Sequence, residues 1–419
     1  MRGRTTRRGA AAIAAIVAFG AVLTGCSDGT DVVELPEQAS AELPADMTEQ
    51  IDAAVTKAMQ ASGATGGIVG VWAPWGGEYV TGLGSTAIEG GEDVTADMTF
   101  RIGDVTRAMT CDVLYGLAAD GQLEVTDSVT QHVQNVAGSE DITLQQLCDS
   151  TSGIGDSEAK VLTNWVRTPE REWDPRELAA QGLIAAGGTP GAKFRDSDAG
   201  YLLLGEALRH ATGEAPADLL DTYVAEPYGL GSTFLPSPTA ATPGTNYLPG
   251  YRSNNEDAKN GCTAPTEFSK ASSSVGYTDS GVVSTIEDLG RYGQLLALGS
   301  AEDDEGRFDH ALPVYSDGAS WYQYGGGVYQ AGPLIGQEGA TLGYATSVWA
   351  DPSSGLTVAV VLNNSRSDSA AAKVGRQIAA IASRAPAADG FEQPEIGLPW
   401  SADGYDKQIT DDAICPIGE

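Results

Sequence analysis

The chain has 419 residues, 42% of them hydrophobic and 19% charged, and its 57 acidic and 24 basic side chains give a formal charge of −33. This length and composition suit a globular protein with a core of ordinary size. A surface this acidic repels phosphate backbones and anionic headgroups, which excludes nucleic acid and anionic lipid as partners and otherwise serves solubility.

Residues 1–25 read as a targeting segment outside the fold. Arg2, Arg4, Arg7 and Arg8 make a positive start, and Gly9 to Val22 is apolar but short for a membrane span. Leu23-Thr24-Gly25-Cys26 has the form of a bacterial lipoprotein box, in which the thiol of Cys26 is acylated and the chain is cut before it. The alternative is an ordinary secretory signal with an incidental cysteine. Losing four arginines and no acid takes the charge from −33 to −37 in the mature chain. The expected location is outside the cell, on the outer face of the membrane, with the membrane as partner through a lipid on Cys26. Residues 26–45 are polar, acidic and aperiodic, and predict a flexible tether.

Asp46 to Met59 has helical spacing in Met47, Ile51, Val55 and Met59. Ile68 to Trp72 reads as a buried strand, and Tyr79 to Gly82 pairs with it through a turn at Pro74 to Gly77. A mainly helical stretch follows from about Val105 to Tyr228. Strand-like runs return at Tyr324–Tyr329, Ala345–Ala350 and Leu356–Leu362, and a helix over Asp368–Arg384 closes the domain. This order predicts an α+β fold: one antiparallel sheet built from both chain ends, flanked by terminal helices, with an all-helical lobe inserted between. The domain spans residues 46–385, and residues 386–419 form a Pro-, Gly- and Asp-rich extension over its surface. Four cysteines remain after Cys26, namely Cys111, Cys148, Cys262 and Cys415. In an exported chain they suggest two disulfides, with three connectivities open. The three histidines are scattered, so no zinc site is expected, nor any cofactor.

Several collinear segments carry a resemblance. Thr99-Phe100-Arg101-Ile102-Gly103-Asp104-Val105-Thr106-Arg107 is followed by Leu117–Val129, by Ile142-Thr143-Leu144 through Thr151-Ser152-Gly153-Ile154, and by Gly200–Gly205. Glu226–Leu230, Gly281-Val282-Val283-Ser284-Thr285, Tyr324–Gly327 and Gly336–Tyr344 complete the series. Together they resemble the serine beta-lactamase and D-alanyl-D-alanine carboxypeptidase superfamily, in its class C and esterase-like branch. The resemblance implies a beta-lactamase/transpeptidase-like fold and three motifs that meet in one cleft.

In the first motif, S-x-x-K, a lysine one helical turn after the serine helps it lose its proton and attack a carbonyl. Here Asp104 holds the serine position and Arg107 the lysine position. With a pKa above about 12, a guanidinium cannot act as a base near neutrality. In the second motif, Y-x-N, Asp196 replaces the tyrosine and Asp198 the asparagine. The third, K-T-G or H-x-G, becomes Gln337-Glu338-Gly339, with only the glycine kept. Thr106, Ser150, Ser152, Ser197 and Lys193 lie near the motifs, but none has a partner at useful spacing.

The resemblance therefore implies a degenerate site with no working catalytic residue, on a protein that acts by binding or regulation. Its partner would be a ligand or protein of the cell envelope. The alternative is an active carboxypeptidase, esterase or beta-lactamase with a remodelled site. Four carboxylates (Asp104, Asp196, Asp198 and Glu338) and one guanidinium would give the cleft a net charge of −3. Such crowding calls for protons, partners or a cation. Two outcomes stay open: a cation- or amine-binding cleft, or an Asp104–Arg107 pair that fills the old pocket. The resemblance also places the helices of Cys111 and Cys148 side by side. It thus implies the pairs Cys111–Cys148 and Cys262–Cys415, with free core thiols at 111 and 148 as the alternative.

Overall fold

The computed structural model describes residues 32–136, 138–239, 242–301 and 306–418; the targeting segment and Cys26 lie outside them. The main sheet has eight antiparallel strands. In spatial order they are Gly77–Gly84, Gly66–Ala73, Thr357–Leu362, Tyr344–Ala350, Leu334–Thr341, Val328–Ala331, Tyr322–Gly325 and Leu312–Pro313. The two chain ends meet where Gly66–Ala73 pairs with Thr357–Leu362, Val69 opposite Val360. Both strands are wholly buried, which is why they read as unbroken apolar runs.

Alternation divides their side chains between two cores. Ile68, Trp72, Ala359 and Val361 join the core shared with the helical lobe; Val69, Val71, Val358 and Val360 join the core under the terminal helices. The terminal helices are Ala45–Ser62 and Ser369–Ala382. Helix Ile286–Ala301 packs on the opposite face. There the Trp72 indole lies between Gly70 of its own strand and Gly290 of that helix. A Cβ at either glycine would come within 2.2 Å of the ring, so both must be glycine for helix and sheet to approach this closely.

Two expectations need correction, and a third gains detail. The run Tyr324–Tyr329 is not one strand: Gly326 and Gly327 take φ of 61° and 82° and turn it into a hairpin between Tyr322–Gly325 and Val328–Ala331. The tether is not free along its length. Val33 N–H donates to the Pro227 carbonyl, Arg291 Nη2 donates to the Val33 carbonyl, and Leu43 N–H donates to that of Glu78. Residues 32–44 thus form a strap bound to the domain. The C-terminal extension carries a helix of its own, Ala402–Asp411, capped by Ser401 and packed on Ser369–Ala382.

Both disulfides form as the resemblance implied, with Cα separations of 5.8 Å for Cys111–Cys148 and 5.7 Å for Cys262–Cys415. Among the described residues no helix is long and apolar enough to cross a membrane.

Candidate functional site

The three motif positions converge where the helical lobe meets the sheet. Asp104 directly precedes helix Val105–Ala119, whose buried face, with Val105, Ala108, Met109 and Leu114, fixes it in the core. One turn in, Arg107 is only 3% exposed. Its Nε donates to Asp279 Oδ1 at 2.7 Å and its Nη1 to Asp196 Oδ1 at 2.6 Å; Nη2 lies 3.6 Å from Asp104 Oδ2. The guanidinium also sits over the Tyr201 ring, 5.0 Å from its centre. Burial opposes its charge, but Asp104, Asp196 and Asp279 together outweigh burial and raise its pKa well above the usual arginine value. At the lysine position there is thus a cation that three carboxylates hold in its protonated form.

Asp104 and Arg107 do pair, but the Asp104 side chain makes no capping hydrogen bond to the helix start. It lies instead on the strand Leu334–Thr341. A Cβ built on Gly339 would stand 2.1 Å from Asp104 Oδ2 and 2.6 Å from Asp104 Cβ. The close approach that a glycine here permits is occupied by the chain's own carboxylate. Burial pushes the Asp104 pKa well up; Arg107 opposes the rise, while Asp279 and Asp196 add to it.

Asp198 has a different occupation. It accepts from Ser157 N–H at 2.6 Å, Ser157 Oγ at 2.5 Å and Glu158 N–H at 2.7 Å, and so closes the start of helix Glu158–Arg167. Gln337 is fully buried. Its amide donates to Tyr324 Oη and to the Gly327 carbonyl, both at 2.9 Å, and Tyr324 Oη is 2.6 Å from Tyr201 Oη. A neutral hydrogen-bonded network thus stands where the resemblance implies a cation or an imidazole.

Glu338 overturns an expectation. Alternation along the strand turns Gln337 into the core toward the helical lobe and Glu338 toward helix Ser369–Ala382, at the margin of the cavity that Gly339 also lines. There its carboxylate is held by Arg376 and accepts from Tyr322 Oη at 2.9 Å. It is not a free charge of the cleft. The four-carboxylate cation site therefore does not assemble: Asp104 and Asp196 serve Arg107, Asp198 serves a helix, and Glu338 serves Arg376. Among the described residues no group of three or more His, Cys, Asp or Glu is placed to hold a metal ion.

The structure adds residues that the sequence reading missed. Asp279 is 3% exposed and completes the Arg107 cluster from helix Tyr277–Ser280; burial raises its pKa to about 6 against the pull of Arg107. Glu158 and Asp156 line the cleft with Arg252 and Arg366. Burial, then Asp198, Asp279 and Asp156, raise Glu158 to about 8. Asp156 rises to about 6 through burial and Asp198. The available signals were weak: Asp279 just precedes the Gly281–Thr285 segment, and Asp156 and Glu158 follow the Thr151–Ile154 turn. Of the candidate nucleophiles, Ser150 Oγ donates to Tyr201 Oη at 3.3 Å and Ser197 Oγ to the Gly155 carbonyl at 3.0 Å; Lys193 is exposed.

An antiparallel sheet with terminal helices on one face, a helical lobe on the other and a cleft at their junction is the architecture of the penicillin-recognising serine hydrolases. The beta-lactamase family model matches residues 51–383, and the chain belongs to that family. Among curated proteins it is 28% identical over 153 residues to the D-alanyl-D-alanine-carboxypeptidase/endopeptidase AmpH of Escherichia coli (strain K12). That match covers 34% of this chain and 38% of that protein. Among solved structures, a D-stereospecific amidohydrolase from Streptomyces sp. superposes with a TM-score of 0.65 at 21% identity, over 77% of this chain and 98% of the other. D-amino acid amidase from Ochrobactrum anthropi SV3, complexed with L-phenylalanine amide, gives 0.66 at 18%, over 80% and 97%. At these identities the likeness shows the fold.

Proposed function

We propose that this chain is an exported member of the beta-lactamase family, held at the outer membrane face through Cys26, that binds a cell-envelope ligand or protein and does not carry out serine acyl transfer. The observation that carries this reading is the state of Arg107. It is buried, bonded to Asp279 and Asp196 and close to Asp104, so it cannot take up a proton, and a carboxyl stands where the resemblance expects the serine hydroxyl. Asp104 packed against Gly339 supports it, because a carboxyl and not a hydroxyl stands against that strand. A role beside cell-wall synthesis follows from family membership alone.

The test uses the ectodomain from residue 27 onward, with its fold checked by circular dichroism. A fluorescent penicillin should leave no covalent label and no mass adduct, and a D-Ala-D-Ala peptide should release no D-alanine. Turnover of either compound at enzymatic rates ends the proposal. Asp104→Ser with Arg107→Lys should not restore labelling, since Asp196 and Gln337 still replace the other two motifs. The anchor is tested in the full-length chain: labelled palmitate should enter the protein and be absent from Cys26→Ala. Equal incorporation would remove the anchor from the proposal.

A further inference from the structure

The motif residues leave most of the cleft's charge already matched. Arg107 takes Asp104, Asp196 and Asp279, and Asp198 takes a helix start. What remains falls into two groups of opposite sign. On one wall, at the start of helix Glu158–Arg167, the Glu158 carboxylate has no hydrogen-bond or ion-pair partner among the described residues. Asp156 beside it meets only Ala159 N–H, at 3.3 Å, and the neighbouring Asp198. On another wall, Arg252 uses Nη1 on the Ser365 carbonyl at 2.5 Å, and its Nε and Nη2 donate to no protein group among the described residues. Arg366 extends this pole and donates to Asn255 Oδ1 at 2.6 Å. Asp368 lies nearby, but its Oδ1 accepts Ser369 N–H at the start of the closing helix.

Glu158 and Arg252 influence each other's ionisation, yet they form no ion pair. The space between the walls has a volume of ≈ 420 Å³, and Leu162, Tyr329 and Leu342 supply its apolar lining. A cavity of a few hundred Å³ suits a small ligand with a few fixed polar groups. A bare cation would satisfy the acidic wall and leave Arg252 unmatched, and a bare anion would do the reverse. A ligand carrying both charges satisfies both walls without drawing them together.

We propose that the cleft binds a small zwitterion, an amino acid or short peptide with both ends free, its ammonium on Glu158 and Asp156 and its carboxylate on Arg252 and Arg366. This names the ligand class for the binding role proposed above and rests on that role. The ammonium supplies the counter-charge that Glu158 lacks; without one, the carboxyl retains a proton near neutrality. None of the four residues belongs to the three family motifs.

The experiment is isothermal titration of the ectodomain with Ala-Ala, in both enantiomeric forms, and with its N-acetylated and C-amidated versions. At least one free dipeptide should bind saturably. Blocking either end should weaken binding at least about tenfold, as expected for the loss of one charge-assisted contact. Glu158→Gln and Arg252→Gln should each do the same, and Glu158→Asp should recover part of the affinity. Thermal melts confirm that each variant is folded. No saturable heat up to about 10 mM, or equal affinity for blocked and free dipeptides, overturns the clamp. So does full affinity in both charge-removing variants. Failure here leaves the penicillin-labelling result untouched. Binding followed by cleavage of the dipeptide supports the clamp and overturns the inactive reading, so the two proposals fail separately.

Discussion

The two faces of the strand Leu334–Thr341 have met the same problem in different ways. On the face toward the terminal helices, Glu338 keeps its charge and is matched by Arg376, whose guanidinium also lies 5.1 Å from the Tyr322 ring centre and 5.0 Å from that of Trp349. On the face toward the cleft, Gln337 is neutral and fully bonded, and Gly339 receives the Asp104 carboxyl. Two consecutive residues of one motif thus belong to different environments. Strand parity decides which partner a motif charge meets.

The largest perturbation of the cleft face is Arg107→Met. It leaves Asp279 buried without a counter-charge and should cost about 3–5 kcal/mol, read as a lower midpoint in urea denaturation. On the opposite face, Glu338→Gln should cost less, about 2 kcal/mol, because that pair keeps some contact with solvent. The same urea curves check it: a loss as large as that of Arg107→Met would mean that the two pairs are equally cut off from solvent.

A finer test crosses the strand–helix contact. Gly339→Ala should destabilise by about 1–3 kcal/mol, since its methyl meets the Asp104 carboxyl. Asp104→Ala should relieve most of that cost, so the double variant is more stable than the sum of its parts predicts. Strict additivity would mean that the contact does not exist in solution.

The smallest effect is one of pH. Glu158 has a folded-state pKa near 8, above its unfolded value, so the folded chain binds the extra proton between the two. Its contribution to stability is full below the unfolded pKa and is lost as pH rises through about 8. Asp156 and Asp279, both near 6, act in the same direction at lower pH. The melting temperature should therefore fall from about pH 5 to about pH 8, with a shallower slope in Glu158→Gln. A rising profile would place Glu158 in another environment.

Much of this was legible in the sequence. The strands Gly66–Ala73 and Thr357–Leu362 announce themselves because burial on both faces selects uninterrupted apolar residues. The motif positions were legible because the flanking segments kept their spacing, and the resemblance brought the cysteine helices together. The rest depends on where a side chain points or what lies across a cleft. Glu338 does line the cavity, but the Arg376 that neutralises it comes from a helix 38 positions further along the chain. Asp279 is separated by 172 positions from the arginine it neutralises. Arg252 and Glu158 face each other through tertiary structure alone. The helix Ala402–Asp411 has few buried side chains, Tyr405 and Ile409, too few to mark a periodic stripe.

The setting of Arg107 has a consequence for changing such a site. A lysine at 107 offers a single ammonium in place of a forked guanidinium and cannot reach Asp279 and Asp196 from the same two directions. A serine at 104 alone regains a hydroxyl beside a group that cannot take its proton. On the inactive reading proposed above, neither single substitution restores a working pair, and the lysine one also costs folding stability. The buried carboxylate of Asp279 therefore acts as a latch that holds the arginine in place.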